Sequence, residues 1–341
     1  MKILYAVQAT GNGHISRAME LLPHLREYGQ VDIFLSGNNS HLRLDAPVKY
    51  RSKGLSLYYK GTGSLNYWQM MRELKPMRIR KEIMELPVEK YDLVLNDFEH
   101  ITAAACARKD VPSVNFGHQA SFASPFSPRP LQRSMIGEFV LKNYAKADRY
   151  IGLHFKRYDD FIFTPVVKQK IREAQPVDLQ YVTVYLPSWS EAQLVEIFSE
   201  FRDIPFEVFC HEVKQVRRFG NLTLLPVDGE LFNQSLVYCH GIITGGGFET
   251  PAEALHLGKK IMTIPIRNQY EQQCNAAALA EMGITRLSSI DHNFREHLYT
   301  WMDEGTVLQM DYSRSIEQSL RFLFHPPMTN SRYMRELVMA S

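Results

Sequence analysis

Residues 2–35 read KILYAVQATGNGHISRAMELLPHLREYGQVDIFL, and they indicate the class of fold. Residues 3–7 are apolar throughout, as in a buried parallel strand, and they lead into a glycine-rich loop. From residue 14 to residue 28 apolar side chains recur at helical spacing, Gly29 ends that helix, and residues 31–35 form the next strand. A strand, a loop, a helix and a second strand make a βαβ unit, which predicts an α/β protein with a parallel sheet.

Two series of such units follow one another along the 341 residues, a length that suits two domains. The expected divisions are a first domain at 1–160, a linker at 161–180, a second domain at 181–325 and a C-terminal helix at 326–341. Further strands are expected at 93–95, 111–116, 149–152, 181–186, 206–209, 241–244 and 260–264, with helices at 102–107, 250–257 and 269–282 and two more from residue 313 onward.

The composition is that of an ordinary globular protein, with 45% hydrophobic and 22% charged residues. A formal net charge of +2 is too weak to indicate nucleic acid as the partner. The four cysteines form no CxxC pair, which favours free buried thiols over a zinc site or a disulfide framework. No apolar run approaches the ~20 residues of a membrane span, and the first one is too short for a signal peptide, so we expect a cytoplasmic protein.

The first chemically unusual loop follows the first strand, and ligands of doubly wound sheets bind at such strand ends. It reads Gly11-Asn12-Gly13, with His14 opening the next helix and Arg17 one turn later. The glycines allow close backbone approach, but the third glycine of the GxGxxG fingerprint is missing, so dinucleotide binding is weakly indicated. His14 could accept a proton from an acceptor hydroxyl. On position alone, a helix-capping role is favoured.

Two further strand ends carry candidate polar groups. Asp97 comes directly after a buried strand, where it could orient a histidine, bind a ligand or cap the next helix. His118 follows the next strand within Gly117-His118-Gln119, where it could contact an acceptor or belong to an ordinary loop. The sequence leaves the roles of both residues open.

The most informative strand end lies within residues 241–255, GIITGGGFETPAEAL. Gly245, Gly246 and Gly247 follow a buried strand and precede a helix, so their amides and the helix N-terminus together predict a phosphate site. The Lys-Ser/Thr pair of a P-loop is absent, which disfavours ATP hydrolysis. Glu253 lies on the helix, where a carboxylate could hold ribose hydroxyls. Acid and amide side chains in residues 265–276 suit recognition of sugar hydroxyls.

The second half resembles the donor-binding domain of GT-B glycosyltransferases, in particular the inverting enzymes related to the lipid II synthase MurG and to UDP-glucuronosyl- and plant glucosyltransferases. The residues that carry the resemblance are Gly246, Gly247, Phe248, Glu253, Gly258, Pro265 and Glu271-Gln272-Gln273-Cys274-Asn275-Ala276. The first half is similar through Gly11-x-Gly13-His14-x-x-Arg17 and Asn96-Asp97-Phe98-Glu99. The resemblance implies two Rossmann-like doubly wound parallel-sheet domains facing a central cleft, with C-terminal helices crossing back to the first domain.

The resemblance also implies a role for each site residue. On the donor side, the diphosphate would lie on Gly245, Gly246, Gly247 and Phe248 with Ser188 nearby, the ribose on Glu253, and the sugar on Glu271 and Gln272. His14 would be the general base, oriented by Asp97. The acceptor side would include Gly11, Asn12, Gly13, Arg17 and His118.

Three positions depart from the family pattern, and they bear on the identity of the donor. Relatives carry histidine on the diphosphate where this chain has Gly245, the family's Asp is Glu271 here, and Lys259 follows the glycine before the strand. Retaining GT-B enzymes carry a glutamate eight positions before the ribose glutamate. Gly245 stands there in this chain, which favours inversion. No essential metal is expected, because loop amides and the helix dipole can stabilise the leaving group.

Residues 50–82 combine basic and aromatic side chains, including Tyr67, Trp68 and Arg72. Such a face could touch anionic lipid or a lipid-linked acceptor, or it could be a solvated helix over core aromatics.

Two other classes of function remain open. A UDP-N-acetylglucosamine 2-epimerase shares the fold and a similar glycine loop, and a non-catalytic nucleotide-sugar-binding protein would bind the donor without turnover.

Overall fold

The computed structural model describes residues 1–9, 11–37, 44–54 and 75–326. The strands of the first domain are β1 (Lys2–Gln8), β2 (Gln30–Ser36), β3 (Tyr50–Ser52), β4 (Leu93–Asp97), β5 (Ser113–Gly117), β6 (Arg149–Leu153) and β7 (Ile162–Phe163). Its helices are α1 (Asn12–Tyr28), α2 (Pro76–Glu85), α3 (His100–Lys109) and α4 (Met135–Asn143), and α5 (Gln169–Arg172) follows in the connection to the second domain. The strands form one parallel sheet in the order β3-β2-β1-β4-β5-β6-β7.

The second domain repeats this arrangement. Its strands are β8 (Val182–Tyr185), β9 (Phe206–Cys210), β10 (Arg217–Phe219), β11 (Leu222–Pro226), β12 (Gly241–Thr244), β13 (Lys260–Thr263) and β14 (Thr285–Arg286). Its helices are α6 (Glu191–Phe198), α7 (Gly229–Tyr238), α8 (Glu249–His256), α9 (Tyr270–Glu281), α10 (Phe294–Glu304) and α11 (Ser315–Phe324). The sheet order is β10-β11-β9-β8-β12-β13-β14, and β10 pairs antiparallel with β11.

Both sheets reverse their strand order beside a central strand, between β1 and β4 in the first and between β8 and β12 in the second. In doubly wound sheets the loops at such a reversal part to opposite faces and leave a crevice, which is where ligands bind. The Gly11–Gly13 loop follows β1, Asp97 ends β4, and the Gly245–Gly247 loop follows β12, with Ser188 in the turn after β8. His118 instead follows β5, and Glu271 and Gln272 follow β13, one strand farther out in each sheet. The fold therefore places most of the candidate residues at the two positions where ligand binding is expected.

Apolar side chains from the two domains form a continuous core. The β1 residues 3–7 are 0% exposed, as expected for a central strand covered on both faces. One hydrophobic cluster extends from β1 and α1 to the second domain, where Phe155 and Phe248 meet with ring centroids 5.1 Å apart. The domains are therefore packed against each other and not joined by the chain alone.

The structure confirms the two-domain α/β architecture and adds strands that the sequence pattern did not indicate. Ile162–Phe163 lies within the expected linker, yet it pairs with β6, so the first sheet extends beyond residue 160. A strand of two residues is too short to show a period. The β10–β11 hairpin was also not expected, and it turns at Gly220, whose φ of +58° suits glycine.

The end of the described chain crosses back to the first domain, as the resemblance implied. Phe324 of α11 stacks on Tyr28 of α1 with ring centroids 3.8 Å apart, and Phe322 packs on Phe163 at 5.3 Å. The Tyr312 hydroxyl donates to the Phe155 carbonyl oxygen at 3.0 Å. Apart from residue 326, the expected C-terminal helix lies outside the described residues.

The four cysteines are free and buried, in agreement with the sequence interpretation. Within the described ranges, we find no helix with the length and hydrophobicity needed to cross a bilayer. Most of the basic and aromatic segment at 50–82 lies outside the described residues, which resume at 75.

Candidate active site

The reversal of the first sheet brings His14 and Asp97 together. His14 lies in the first turn of α1, and Asp97 is the last residue of β4. Nδ1 of His14 is 2.9 Å from Oδ1 of Asp97. The Asp97 side chain is 0% exposed and that of His14 is 12% exposed, so the imidazole is the member of the pair that reaches the cleft.

Asp97 is available for this contact because another carboxylate caps α3. The Glu99 side chain accepts hydrogen bonds from the amides of Ile101 at 2.9 Å and Thr102 at 2.6 Å. The side chain of Asn96 bonds the backbone of Glu99 in both directions at 2.7 Å. Of the roles left open for Asp97, helix capping therefore belongs to Glu99, and Asp97 contacts the histidine.

Arg17 holds Asp97 from the other side. Its Nε donates to Oδ2 at 3.0 Å and its Nη2 to Oδ1 at 2.9 Å, which is the two-pronged geometry that guanidinium and carboxylate favour. Burial alone would raise the pKa of Asp97, but the charges of Arg17 and His14 and their hydrogen bonds outweigh it and lower the pKa below its usual value. Asp97 is therefore a carboxylate at neutral pH.

The position of Arg17 differs from the expected contact with an acceptor. Arg17 is 3% exposed, and it also donates from Nη1 to Oε1 of Glu249 in the second domain at 2.7 Å. Its guanidinium bonds protein carboxylates on both sides of the cleft. Spacing along the sequence could not show this, because Glu249 lies 232 positions away.

The glycine loop of the second domain lies between β12 and α8. Gly246 has a φ of +80°, a conformation that favours glycine. A Cβ on Gly245 would meet Gln272 Oε1 at 3.5 Å and Pro187 at 3.9 Å, so the turn that carries Ser188 and the start of α9 adjoin this loop. A Cβ on Gly247 would meet nothing within 4 Å. The same is true of Gly11 in the first domain, so each domain presents an open glycine position.

Glu271 and Gln272, expected to hold the donor sugar, lie in the first turn of α9. The Gln272 side-chain oxygen accepts a hydrogen bond from the Ile266 amide at 3.0 Å, which fixes the side chain beside the glycine loop. Glu271 Oε1 accepts from Gln119 Nε2 of the first domain at 3.0 Å. Both side chains therefore lie near the domain boundary, and their contact with a sugar stays a prediction.

Glu253, expected to bind the ribose of the donor, is almost fully buried. Its side chain is 4% exposed, and Oε1 lies 3.0 Å from Nζ of Lys168. Burial raises the pKa of Glu253, and the neighbouring Lys168 ammonium partly opposes this shift. Binding a ribose here would require the ligand to share or replace the lysine contact.

The structure does not place His118 on an open acceptor surface. His118 is 1% exposed, its ring stacks on Phe248 with centroids 3.8 Å apart, and Nε2 lies 2.7 Å from Oδ1 of Asn275. Nδ1 lies 3.0 Å from the Leu153 carbonyl oxygen. Both ring nitrogens thus have protein partners, and we call His118, Phe248 and Asn275 the domain junction.

Phe248, expected on the diphosphate, has its ring inside this junction, so only its backbone can face a phosphate. Three partners were missed by sequence reasoning: Glu249, Lys168 and Asn275 as the partner of His118. Glu249 gave no distinctive signal in the sequence, because acidic residues are common in the first turn of a helix. In the described part of the chain, no group of three His, Cys, Asp or Glu side chains is placed to hold a metal ion.

Two doubly wound domains, with a His–Asp pair at one strand reversal and a glycine loop at the other, correspond to the GT-B fold. The family model described as "Glycosyl transferase family 1" matches residues 1–302, and the chain belongs to that family. The function of the chain as a glycosyltransferase rests on this match over most of its length. No curated protein sequence matches the chain.

Solved structures show the same fold at low sequence identity. The glycosyltransferase SnogD from Streptomyces nogalater is 16% identical, with a TM-score of 0.54 over 100% of this chain and 99% of its own. UGT89C1 from Arabidopsis thaliana, complexed with quercetin, is 13% identical, with a TM-score of 0.59 over 99% and 98%. MurG from Acinetobacter baumannii is 16% identical, with a TM-score of 0.53 over 100% and 99%. At these low identities, the similarity establishes a shared fold and nothing further.

Proposed function

We propose that this glycosyltransferase moves a hexose or N-acetylhexosamine from a nucleotide sugar to an acceptor hydroxyl with inversion, and that His14 is the base. The observation that supports this most directly is the 2.9 Å contact between His14 Nδ1 and the buried Asp97 carboxylate. A histidine whose Nδ1–H is held by a carboxylate keeps Nε2 as a proton acceptor.

The reaction is a single displacement. Nε2 of His14 takes the proton of the acceptor hydroxyl while its oxygen bonds to the anomeric carbon, and the bond from that carbon to the diphosphate oxygen breaks. The nucleoside diphosphate leaves with the electron pair, and the anomeric centre inverts. Because Asp97 remains charged, it stabilises the imidazolium that forms.

The donor is assigned to the second domain. The amides of Gly245–Gly247 and the N-terminus of α8 bind the diphosphate, and Ser188 lies at the adjoining turn. Glu253 binds the ribose, and Glu271 and Gln272 bind the sugar. The leaving charge is then stabilised by backbone dipoles, and no essential metal takes part in this proposal.

UDP is the nucleotide we favour, on the ground that the plant structural neighbour UGT89C1 has been crystallised with UDP. The same neighbour's complex with quercetin makes a small molecule one candidate acceptor, and a sugar or a lipid-linked acceptor is another. No nucleic-acid partner is proposed, because the net charge is only +2. We place the enzyme in the cytoplasm, with a role in polysaccharide or cell-envelope synthesis.

Contact with the inner face of a membrane through residues 50–82 is a further part of this proposal. A groove of about 490 Å³ between α2 and α3 is lined by apolar and basic side chains, including Ile83, Met84, Arg80 and Arg108. Met77 on α2 is 85% exposed. Apolar and cationic groups side by side suit an anionic lipid surface.

The test is a donor screen with turnover as the readout. UDP and UDP-sugars should raise the melting temperature while NAD and ATP do not. Transfer should require both a UDP-sugar and an acceptor, should persist in EDTA, and should give the inverted anomer. A 2-epimer formed from the donor alone would indicate an epimerase, and binding without turnover would indicate a sensor.

The role of His14 is tested separately. His14→Ala should reduce kcat by ~10²–10⁴-fold with UDP affinity retained.

A further inference from the structure

Arg17 joins the catalytic pair to the donor loop of the other domain. Its Nε and Nη2 bond Asp97 at 3.0 and 2.9 Å, and its Nη1 bonds Glu249 Oε1 at 2.7 Å. Glu249 is the first residue of α8, directly after the glycine loop. The Arg17 side chain is 2% exposed and that of Glu249 is 27% exposed, so the bond between them is partly buried, while the bonds from Arg17 to Asp97 are fully buried.

Gly13 leaves room in the first domain for the Glu249 side chain. A Cβ on Gly13 would lie 2.3 Å from Glu249 Oε2, so a side chain there would displace the carboxylate. On the other side, a Cβ on Gly117 would lie 2.5 Å from Asp97 Oδ1 and 3.5 Å from Arg17 Nη2. Both glycines make room for the same chain of charged groups.

His14 faces three charged groups from three elements: Asp97 from β4, Arg17 from α1 and, beyond Arg17, Glu249 from α8. Arg17 Nη2 and Asp97 Oδ1 are both 2.9 Å from His14 Nδ1. The guanidinium can only donate and the carboxylate can only accept, so they favour opposite tautomers of the imidazole. Donation by Nδ1 to Asp97 leaves Nε2 as the base, whereas acceptance from Arg17 puts the proton on Nε2.

We propose that Arg17 is a positioning residue and that its bridge to Glu249 is an interdomain latch, which keeps the imidazole in the tautomer with a basic Nε2. While Glu249 holds Nη1 and Asp97 holds Nε and Nη2, the guanidinium is fixed and Nδ1 donates to Asp97. Without Glu249 the guanidinium loses one of its restraints, and Nη2, which already lies 2.9 Å from Nδ1, donates to that nitrogen in place of the contact with Asp97. The imidazole proton then sits on Nε2, and the base is lost. The latch rests on the proposed role of His14. It links the packing of the two domains beside the donor loop to deprotonation of the acceptor hydroxyl.

The latch is tested with Glu249→Gln, Arg17→Lys and Gly13→Ala in the full-length protein. Each should lower kcat by about 10-fold or more, within the 5–150-fold range of typical coupling between sites, while the Kd for UDP stays within about 2-fold of wild type. The exposed pair Arg314 and Glu317 supplies matched controls, Arg314→Lys and Glu317→Gln, and Gly229→Ala controls for a new alanine in a first helical turn. The controls should leave kcat unchanged.

Two readouts separate positioning from a structural role. In the His14→Ala background, Arg17→Lys should have almost no further effect on kcat, because residues that act as a unit are not additive. Glu249→Asp keeps a carboxylate at this position, so it should retain more of kcat than Glu249→Gln. Additive effects, together with equal losses of kcat in Glu249→Asp and Glu249→Gln, would overturn the latch. A His14→Ala enzyme with wild-type kcat would instead refute the proposed base.

Discussion

Both carboxylate oxygens of Asp97 have hydrogen-bond partners. Arg17 donates a hydrogen bond to each oxygen, His14 Nδ1 also contacts Oδ1, and the Asp97 side chain is fully buried. Burying a carboxylate is costly unless it is paired and hydrogen-bonded, and here the pairing lowers its pKa despite the burial. A permanent negative charge beneath the imidazole is the chemical consequence.

Replacing Asp97 with asparagine should remove this charge at nearly constant volume. We expect kcat to fall by ~10²–10⁴-fold, the range of a lost general base, because the amide can hold the wrong tautomer of His14. The Kd for UDP, measured by calorimetry, should not change. Asp92→Asn is the control, since Asp92 bonds the exposed Lys2 amide far from the cleft. A variant with wild-type kcat would contradict the role of Asp97.

Gly246 offers a prediction for the donor loop. Its φ of +80° disfavours any side chain, and a Cβ would lie 3.2 Å from the Gln272 carbonyl oxygen. Gly246→Ala should therefore destabilise the protein by ~1–3 kcal/mol and weaken UDP binding. Gly247→Ala is the comparison for stability, because its Cβ would meet nothing within 4 Å. Equal melting temperatures for the two variants would show that the loop backbone is not restricted at Gly246.

At the scale of elements, α3 is attached to the sheet by the Asn96–Glu99 segment. Glu99 is 0% exposed, and its carboxylate caps two amides of the first turn. Burial raises the pKa of Glu99, and the hydrogen bonds from Thr102 and Ile101 oppose that shift. The cap also holds the end of β4, and with it Asp97, in position for His14.

Removing the cap should lower stability without removing a catalytic group. Glu99→Ala is expected to cost at least the ~1–2 kcal/mol of a helix cap, measured by denaturant unfolding, because buried amides lose their partners. Asp228→Ala removes the exposed cap of α7 and should cost less, since water can replace that carboxylate. A smaller loss for Glu99→Ala than for Asp228→Ala would contradict this account of α3.

At the scale of the whole molecule, the domains meet through polar contacts as well as through the apolar core. The domain junction of His118, Phe248 and Asn275 lies beside His154, whose ring centroid is 5.2 Å from that of His118. Burial lowers the pKa of both histidines, and for His154 the nearby His118 adds to the effect. Both rings are therefore neutral in the folded protein at neutral pH.

This arrangement predicts a loss of stability in mild acid. The unfolded chain protonates these histidines near their ordinary pKa of ~6.5, whereas the folded protein does so at lower pH, so stability is full above ~6.5 and falls as the pH drops below it. The melting temperature should decline between pH 7.5 and 5.5, and His154→Phe should reduce that slope. His297→Phe, at an exposed position, is the control. An unchanged slope in His154→Phe would contradict the assignment.

The sequence by itself determined the α/β class, the central strands and the glycine loops, because period, apolar runs and turn residues are local properties of the chain. It also placed His14 and Asp97 each at the end of a strand. The resemblance to GT-B enzymes implied that the two residues pair and that the C-terminal helices cross back to the first domain. The sequence left open whether Asp97 caps a helix, since that choice depends on the competing carboxylate of Glu99.

Only the tertiary structure decided which distant groups meet. Burial of His118 in the domain junction, the enclosure of Glu253 by Lys168 and the bridge from Arg17 to Glu249 all join residues of different elements. Such contacts depend on how two sheets pack across a cleft, and no local pattern records that packing. Side-chain type and spacing could therefore locate the candidate site, while burial and charge pairing within it follow from the fold.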